Sequence, residues 1–154
     1  MEWRVVKSIS LQEAITRTAI LREKYGSLSH LHEEFAKGRM PPGTFDDYIE
    51  WTNMDHALRA YQEGEDFEYF ADENLILSEK EYMLITPRRL ELLDYLSVEQ
   101  VSSINDLADK LKRDVKNVYL DLKILERLGF ISLRKEGRSL VPEQIVYEIT
   151  IILD

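Results

Sequence analysis

The chain has 154 residues, of which 44% are hydrophobic, and a formal net charge of −9. This composition supports a buried core and excludes a disordered chain, and the absence of cysteine excludes disulfides, thiol nucleophiles and cysteine-ligated zinc. No apolar run approaches the ~20 residues that cross a bilayer, and no basic start followed by an apolar block marks a signal peptide. We therefore expect a cytoplasmic protein with no membrane partner.

Helix-start signals recur in the N-terminal half, where Ser10, Thr44 and Ser78 each precede a helical pattern. They predict helices at 10–25 and 44–62 and one or two further helical turns from Ser78, and a short helix at 28–37 is predicted to stop at Gly38. The segment 2–9 is either an extended arm or a strand, and 67–70 is predicted to be a short strand. No linker rich in glycine, serine or proline follows, so the halves are expected to pack together.

Acidic residues are concentrated in that half. Residues 1–85 carry 9 Lys and Arg against 17 Asp and Glu, a net charge of −8, whereas residues 86–154 carry 11 against 12, a net charge of −1. Tyrosine and tryptophan are interspersed with the acids. Three interpretations remain open: a helical dimerisation extension, a surface that binds a cationic partner, or a ligand-sensing pocket between the halves.

Three helical patterns follow one another from Thr86. Thr86 is a capping residue and Pro87 occupies the first helical position, where a missing N–H costs nothing. The second helix begins after Ser102 or Ser103 and carries an apolar face formed by Ile104, Leu107, Ala108 and Leu111. A turn of a few residues leads to the third helix, predicted at about 114–128 and terminated by Gly129.

The third helix has two chemically distinct sides. Its apolar side is predicted to consist of Val115, Val118, Leu122 and Leu125. The opposite side collects Arg113, Lys116, Leu120, Lys123 and Arg127, with Asn117 on its border. Arginine and lysine suit guanine, asparagine suits adenine, and a leucine suits the thymine methyl group. This side is therefore predicted to contact double-stranded DNA.

A basic-tipped hairpin is predicted to follow Gly129. Residues 130–133 form its first strand, and Arg134, Lys135 and Arg138 cluster at its tip. Helices followed by such a hairpin form a winged helix-turn-helix, in which basic residues of the wing contact phosphates. The β-branched segment 144–153 is predicted to be a strand that joins the wing, pairs with 67–70, or pairs across a dimer axis.

The C-terminal half resembles a known family. The segments TPRRLELLDYL, INDLADKL and RDVKNVYLDLK, followed by LGFI, resemble the prokaryotic winged-helix regulators of the MarR-like group. The resemblance is greatest to the DNA-binding antitoxins of two-gene toxin–antitoxin modules. It implies a homodimeric transcriptional regulator, and a toxin bound through the N-terminal half would be a further partner.

Catalysis, metal binding and a cofactor are not expected. His30 and His32 are two residues apart and do not point the same way on a helix, and His56 has no matching ligand pattern. Adjacent carboxylates such as Asp46 and Asp47 also diverge, and no base or nucleophile accompanies them. Neither a glycine-rich phosphate loop nor a GxSxG motif is present.

These patterns predict a mainly α fold with a small antiparallel β-sheet, in the α+β class. An acidic helical domain at 1–85, for dimerisation or partner binding, would precede a winged helix-turn-helix domain at 86–154. The expected function is sequence-specific DNA binding that represses transcription, and the expected protein is not an enzyme. The alternative is a protein-interaction module that uses the winged helix as a docking scaffold, as the overall acidity would favour.

Overall fold

A computed structural model describes residues 1–153, in which seven helices and five strands form an α+β fold. The strands are β1 (Glu2–Ser8), β2 (Phe70–Leu75), β3 (Ile131–Glu136), β4 (Ser139–Gln144) and β5 (Val146–Ile152). The helices are α1 (Leu11–Tyr25), α2 (Leu28–Ala36), α3 (Phe45–Gln62), α4 (Glu79–Met83), α5 (Pro87–Val98), α6 (Ile104–Leu111) and α7 (Val115–Arg127). The predicted fold class is confirmed. No helix of residues 1–153 combines the length and apolarity needed to span a membrane.

The chain forms two compact units, and one of them is discontinuous in sequence. Unit 1 contains residues 1–7 and the chain from Asp72 onward, and unit 2 contains residues 8–71. This division differs from the predicted boundary between 85 and 86. Two features account for the difference. β1 hydrogen-bonds to β5, and Leu75, Leu77, Leu84 and Ile85 pack against the core of unit 1.

Unit 1 contains strands of two sheets, in which the β1–β5 and β3–β4 pairs are antiparallel. The first has the order β2-β1-β5, and the second is the β3-β4 hairpin. In the β1–β5 pair, Trp3 lies opposite Ile151 and Val5 opposite Ile149, with a register shift between Val6 and Lys7. The predicted strand at 144–153 exists, but its partner in the sheet is β1, which was not among the three partners considered.

Helix capping follows the predicted pattern with one exception. The hydroxyl groups of Ser10, Thr86 and Ser103 accept hydrogen bonds from backbone N–H groups three residues ahead, and Ser78 and Glu81 form a complete capping box. Thr44 precedes α3 as predicted, but its backbone is helical and its side chain forms no capping bond. The strand predicted at 67–70 instead begins at Phe70, as β2.

Each unit has its own hydrophobic core. Unit 1 buries side chains from all three helices α5, α6 and α7 together with the strands, among them Leu92, Leu107, Val118, Leu122, Leu125 and Phe130. Unit 2 packs α1, α2 and α3 around Ala14, Leu31, Tyr48, Trp51 and Met54. One predicted core position is incorrect, because Val115 is 42% exposed.

Candidate nucleic-acid interface

A tight turn places α7 against α6 in unit 1. Only Lys112, Arg113 and Asp114 separate the two helices. Lys112 adopts the left-handed conformation at φ 54°, so α6 ends abruptly there. The Asp114 carboxylate then caps α7 by accepting a 3.1 Å hydrogen bond from the backbone N–H of Asn117. Local sequence therefore fixes both the end of α6 and the start of α7.

The two sides of α7 separate as the helical period requires. Val118, Leu122 and Leu125 are buried in the core of unit 1. The opposite side exposes a row of four residues to solvent, namely Lys116, Leu120, Lys123 and Arg127, and Asn117 is exposed beside it. We call this row the outer row of α7. It contains three cations and one aliphatic side chain.

Arg113 does not belong to that exposed surface. Its side chain is only 12% exposed, and its Nη2 donates a 2.6 Å hydrogen bond to Oδ2 of Asp121. Its Nε and Nη1 are buried and have no hydrogen-bond acceptor among the described residues. The helical projection suggested an outward direction, but Arg113 precedes α7, so the periodicity of that helix does not apply to it.

A second arginine reaches the same carboxylate. Arg89, near the start of α5, donates from Nε to Oδ1 of Asp121 at 3.0 Å and from Nη1 to the carbonyl of Leu84 at 2.8 Å. Asp121 thus joins α5, the α6–α7 turn and α7 through one charged group. The two cations and one anion leave a net positive charge in a poorly solvated place, which makes the carboxylate essential to the arrangement.

A groove lies between the first half of α7 and the hairpin. It has a volume of about 340 Å³ and brings Lys116 and Arg138 into one lining with seven other residues: Ser103, Ile104, Asn105, Val115, Tyr119, Ser139 and Leu140. Sequence reasoning missed Asn105 and Tyr119. The position of Tyr119 one turn after Val115 was the available signal, because residues four apart share a helix face.

The β3–β4 hairpin forms where a hairpin was predicted, and we refer to it as the wing. Its basic residues have different surroundings. The two-residue turn Gly137–Arg138 begins with a glycine at φ 60°, as tight hairpin turns require. Lys135 and Arg138 are exposed, and Lys135 pairs with Leu140, which lines the groove. Lys135 therefore shares the strand face that leads to α7.

Arg134 lies on the other face of the hairpin. It donates to Glu143 at 2.5 Å and to Glu136 at 2.9 Å, and these bonds, with Glu143 first, raise the pKa of its guanidinium. It also lines a different cavity from the one that holds Lys116. Since neighbouring residues of a strand point to opposite faces, Arg134 and Lys135 are not both available to one ligand.

The remaining cationic side chains differ in whether an acidic residue neutralises their charge. Lys123 donates to Glu126 at 2.8 Å, and this bond raises the pKa of the lysine while offsetting its charge. Within residues 1–153, Lys116, Arg127, Lys135 and Arg138 have no ion-pair partner. Four cations therefore remain available for an anionic ligand on the outer row, groove and wing.

One of the three histidines, His32, contacts a tyrosine. The ring Nδ1 of His32 lies 2.8 Å from the Tyr48 hydroxyl, in unit 2. Across the part of the chain that the structure describes, no three His, Asp or Glu residues are grouped so that they would hold a metal ion.

One family model matches part of the chain. It is the family described as HVO_A0114, and the match covers residues 84–151, from the end of α4 through most of β5. The matched segment contains the whole of α5, α6, α7 and the wing. The chain has no match among curated proteins.

Proposed function

We propose that this protein is a sequence-specific, double-stranded-DNA-binding transcriptional regulator that acts as a homodimeric repressor. The observation that supports it most is the outer row of α7, which lies opposite the buried Val118, Leu122 and Leu125. Helices α5, α6 and α7 precede the wing in the same unit. The resemblance of RDVKNVYLDLK and LGFI to winged-helix regulators supports the same function.

The proposal gives each part of the interface a role. Helix α7 enters the major groove, where Lys116 and Asn117 contact base edges and Leu120 contacts a thymine methyl group. Lys123 and Arg127 lie further along the same row and contact phosphates. Lys135 and Arg138 of the wing contact the adjacent backbone, which fixes the register without reading sequence.

The charge distribution sets the conditions for binding. The net charge of −9 opposes attraction to a polyanion, so the affinity for random DNA is expected to be low. Two copies related by a two-fold axis would double the number of contacts. Such a dimer would recognise a palindrome whose half-sites are about 10 base pairs apart or a multiple of that spacing.

The test is a titration of the purified protein with a duplex from its own promoter at several salt concentrations. Contacts with phosphates make the logarithm of the association constant fall linearly with the logarithm of salt concentration. Three free cations per copy that contact phosphates, namely Arg127, Lys135 and Arg138, predict a steep decline. Binding that is absent at low salt, or that is indifferent to salt, contradicts the proposal.

An exposed aromatic cluster in unit 2 favours a second candidate function, the binding of a protein partner. Phe35 and Phe45, 48% and 51% exposed, have ring centroids 5.9 Å apart, and Phe35 also stacks on Tyr48 at 5.3 Å. Residues 8–71 carry 6 Lys and Arg against 12 Asp and Glu, a net charge of −6. Aromatic anchors in an acidic surface suit a basic partner, such as the toxin of a toxin–antitoxin pair.

Co-expression with the product of the neighbouring gene tests this second function. A basic partner should co-purify with the wild-type protein and be lost from a Phe35→Ser, Phe45→Ser double variant that still binds DNA. If the double variant retains the partner, the aromatic cluster is not the docking surface.

A further inference from the structure

The outer edge of β5 is an unprotected strand edge. β5 is the last strand in the order β2-β1-β5, so no described strand pairs with its outer side. Natural sheets usually protect such edges with lysine, proline or a bulge, because free backbone groups recruit another strand. The segment 148–152 reads Glu-Ile-Thr-Ile-Ile and contains none of these devices, and the register shift of this sheet precedes it.

The edge is open over only part of the strand. At Val146 the backbone N–H donates to the carbonyl of Phe130 at 3.0 Å, and the carbonyl accepts from Nε2 of Gln144 at 3.0 Å. These bonds occupy the first residue of β5. The part of β5 that can pair with a further strand therefore begins at about Glu148.

The distribution of charge favours a second copy of this chain as the partner at this edge. Two copies of a chain with a net charge of −9 repel each other over most of their surfaces. The opposite edge of the sheet, β2, carries Asp72 and Glu73, whereas 149–153 carries no charged residue. The open edge of β5 is thus a place where a second copy meets little like charge.

We infer that the outer edge of β5 pairs antiparallel with the same edge of a second copy, which gives the homodimer a continuous six-stranded sheet. The inference names the dimer contact that the proposed function needs, and to that extent it rests on that function. A two-fold interface has to be complementary to itself. An antiparallel pair of identical strands satisfies this condition, because each residue and its partner exchange roles across the axis.

The register follows if the open segments of the two copies overlap completely. Residues 148–152 overlap completely when Thr150 lies on the two-fold axis, opposite Thr150 of the second copy. Glu148 then lies opposite Ile152, so no carboxylates face each other, and the central pair is threonine with threonine, a favourable cross-strand pair. Within each copy Thr150 is already paired with Arg4 of β1.

An apolar groove beside this edge would be covered in the same dimer. It has a volume of about 440 Å³ and is lined only by hydrophobic side chains: Trp3, Tyr82, Met83, Ile85, Leu90, Ile149 and Ile151. Met83 is 69% exposed and Ile151 is 47% exposed. With Thr150 on the axis, the grooves of both copies lie on the same face of the joined sheet, next to the contact.

Charge substitutions at Thr150 test both the edge and the register. Thr150 is exposed, so neither Thr150→Glu nor Thr150→Lys should disrupt the core, and Thr150→Glu would face Arg4 within its own copy. Each variant alone places like charges on the axis. Sedimentation equilibrium without DNA should show the dimer dissociation constant raised by about tenfold or more in both. The matched controls Asn74→Glu and Asn74→Lys, on the opposite edge, should leave the constant unchanged.

A mixture of the two variants is the decisive measurement. With Thr150 on the axis, the Glu variant and the Lys variant attract each other, so differently tagged copies should co-purify as a heterodimer. A monomeric wild-type protein, unaffected dimers in both variants, or failure of the mixture to associate each overturns the inference.

DNA binding is measured separately, so the inference and the proposed function can fail independently. Thr150→Glu should still bind a single half-site as a monomer if α7 reads DNA. A wild-type dimer that meets the Thr150 expectations but binds no DNA supports the β5 contact and contradicts the proposed function.

Discussion

Arg113 Nη2 donates a 2.6 Å hydrogen bond to Oδ2 of Asp121, eight residues further along the chain. Arg89 approaches the other oxygen of the same carboxylate at 3.0 Å. Arg113, which the sequence predicted to contact DNA, therefore links the α6–α7 turn to α7 instead. The side chains of this three-residue cluster are 12 to 19% exposed, so solvent screens them only slightly.

Asp121→Ala should strongly destabilise unit 1. Removal of the anion leaves two guanidinium groups without compensation, which for a buried ion pair costs about 3–5 kcal/mol in the free energy of unfolding. Urea denaturation measures the loss. Glu126→Ala, which removes the exposed partner of Lys123, is the control and should change stability by less than about 1 kcal/mol. Equal stability of the Asp121 variant and the wild type would show that the cluster is not structural.

Lys116→Ala and Asn117→Ala should each weaken specific binding to the operator by about 1–3 kcal/mol. Both side chains are exposed, so the melting temperature should not change. Fluorescence anisotropy with a labelled operator duplex measures the affinity. Lys37→Ala, an exposed cation of unit 2, serves as the matched control. Wild-type affinity in both α7 variants would remove these residues from the interface.

The wing offers a comparison between two arginines four residues apart in sequence. Arg138→Ala should reduce the slope of log affinity against log salt by about 1 per copy, because one phosphate contact is lost. Arg134→Ala should leave that slope unchanged, since Glu143 and Glu136 already neutralise its charge. The opposite ranking would mean that the other face of the hairpin meets the DNA.

Because of Asp106, the stability of unit 1 should depend on pH in the acidic range. The backbone N–H of Ser102, and then Lys110, lower the pKa of its carboxyl below the ordinary value of 3.8. A lowered pKa contributes stability that is fully present above 3.8 and is lost as the pH falls through the folded-state pKa. The melting temperatures of the wild type and of Asp106→Asn, measured by thermal denaturation across that range, should therefore converge as the pH falls. A constant difference would show that the carboxylate does not contribute.

Gly129→Ala should destabilise unit 1 by about 1–2 kcal/mol. Gly129 ends the α7 region at φ 82°, and in this conformation the N–H of Phe130 bonds to the carbonyl of Leu125 at 2.9 Å. No heavy atom lies within 4 Å of an added Cβ, so the cost comes from backbone strain alone. Gly64→Ala, at φ 100° in unit 2, should carry a similar penalty without affecting DNA binding.

Signals within a few residues of each other predicted the helices well. Ser10, Ser78, Thr86 and Ser103 all form the side-chain caps that their positions indicated. Gly129 terminates the last helix as expected. These features depend on hydrogen bonds between neighbours in sequence, so a single chain carries enough information to locate them.

Contacts between distant residues were not predictable in the same way. Nothing in the sequence of β1 or of β5 identifies the other strand as its partner. The periodicity of α7 could not show that Arg113, just outside the helix, turns toward Asp121, nor that Glu143 neutralises Arg134. Of the nine residues predicted to contact DNA, the structure leaves Lys116, Asn117, Leu120, Lys123, Arg127, Lys135 and Arg138 exposed on or beside the α7 and wing surfaces. Their role remains a prediction.

The pairing of β1 with β5 also bears on how the protein is made. β1 is synthesised well before its partner β5, which spans Val146–Ile152. Unit 2, residues 8–71, can therefore complete its core before β5 has been synthesised. The edge of β1 that pairs with β5 stays open in the nascent chain until then, and a pairing over so long a sequence separation is expected to form slowly.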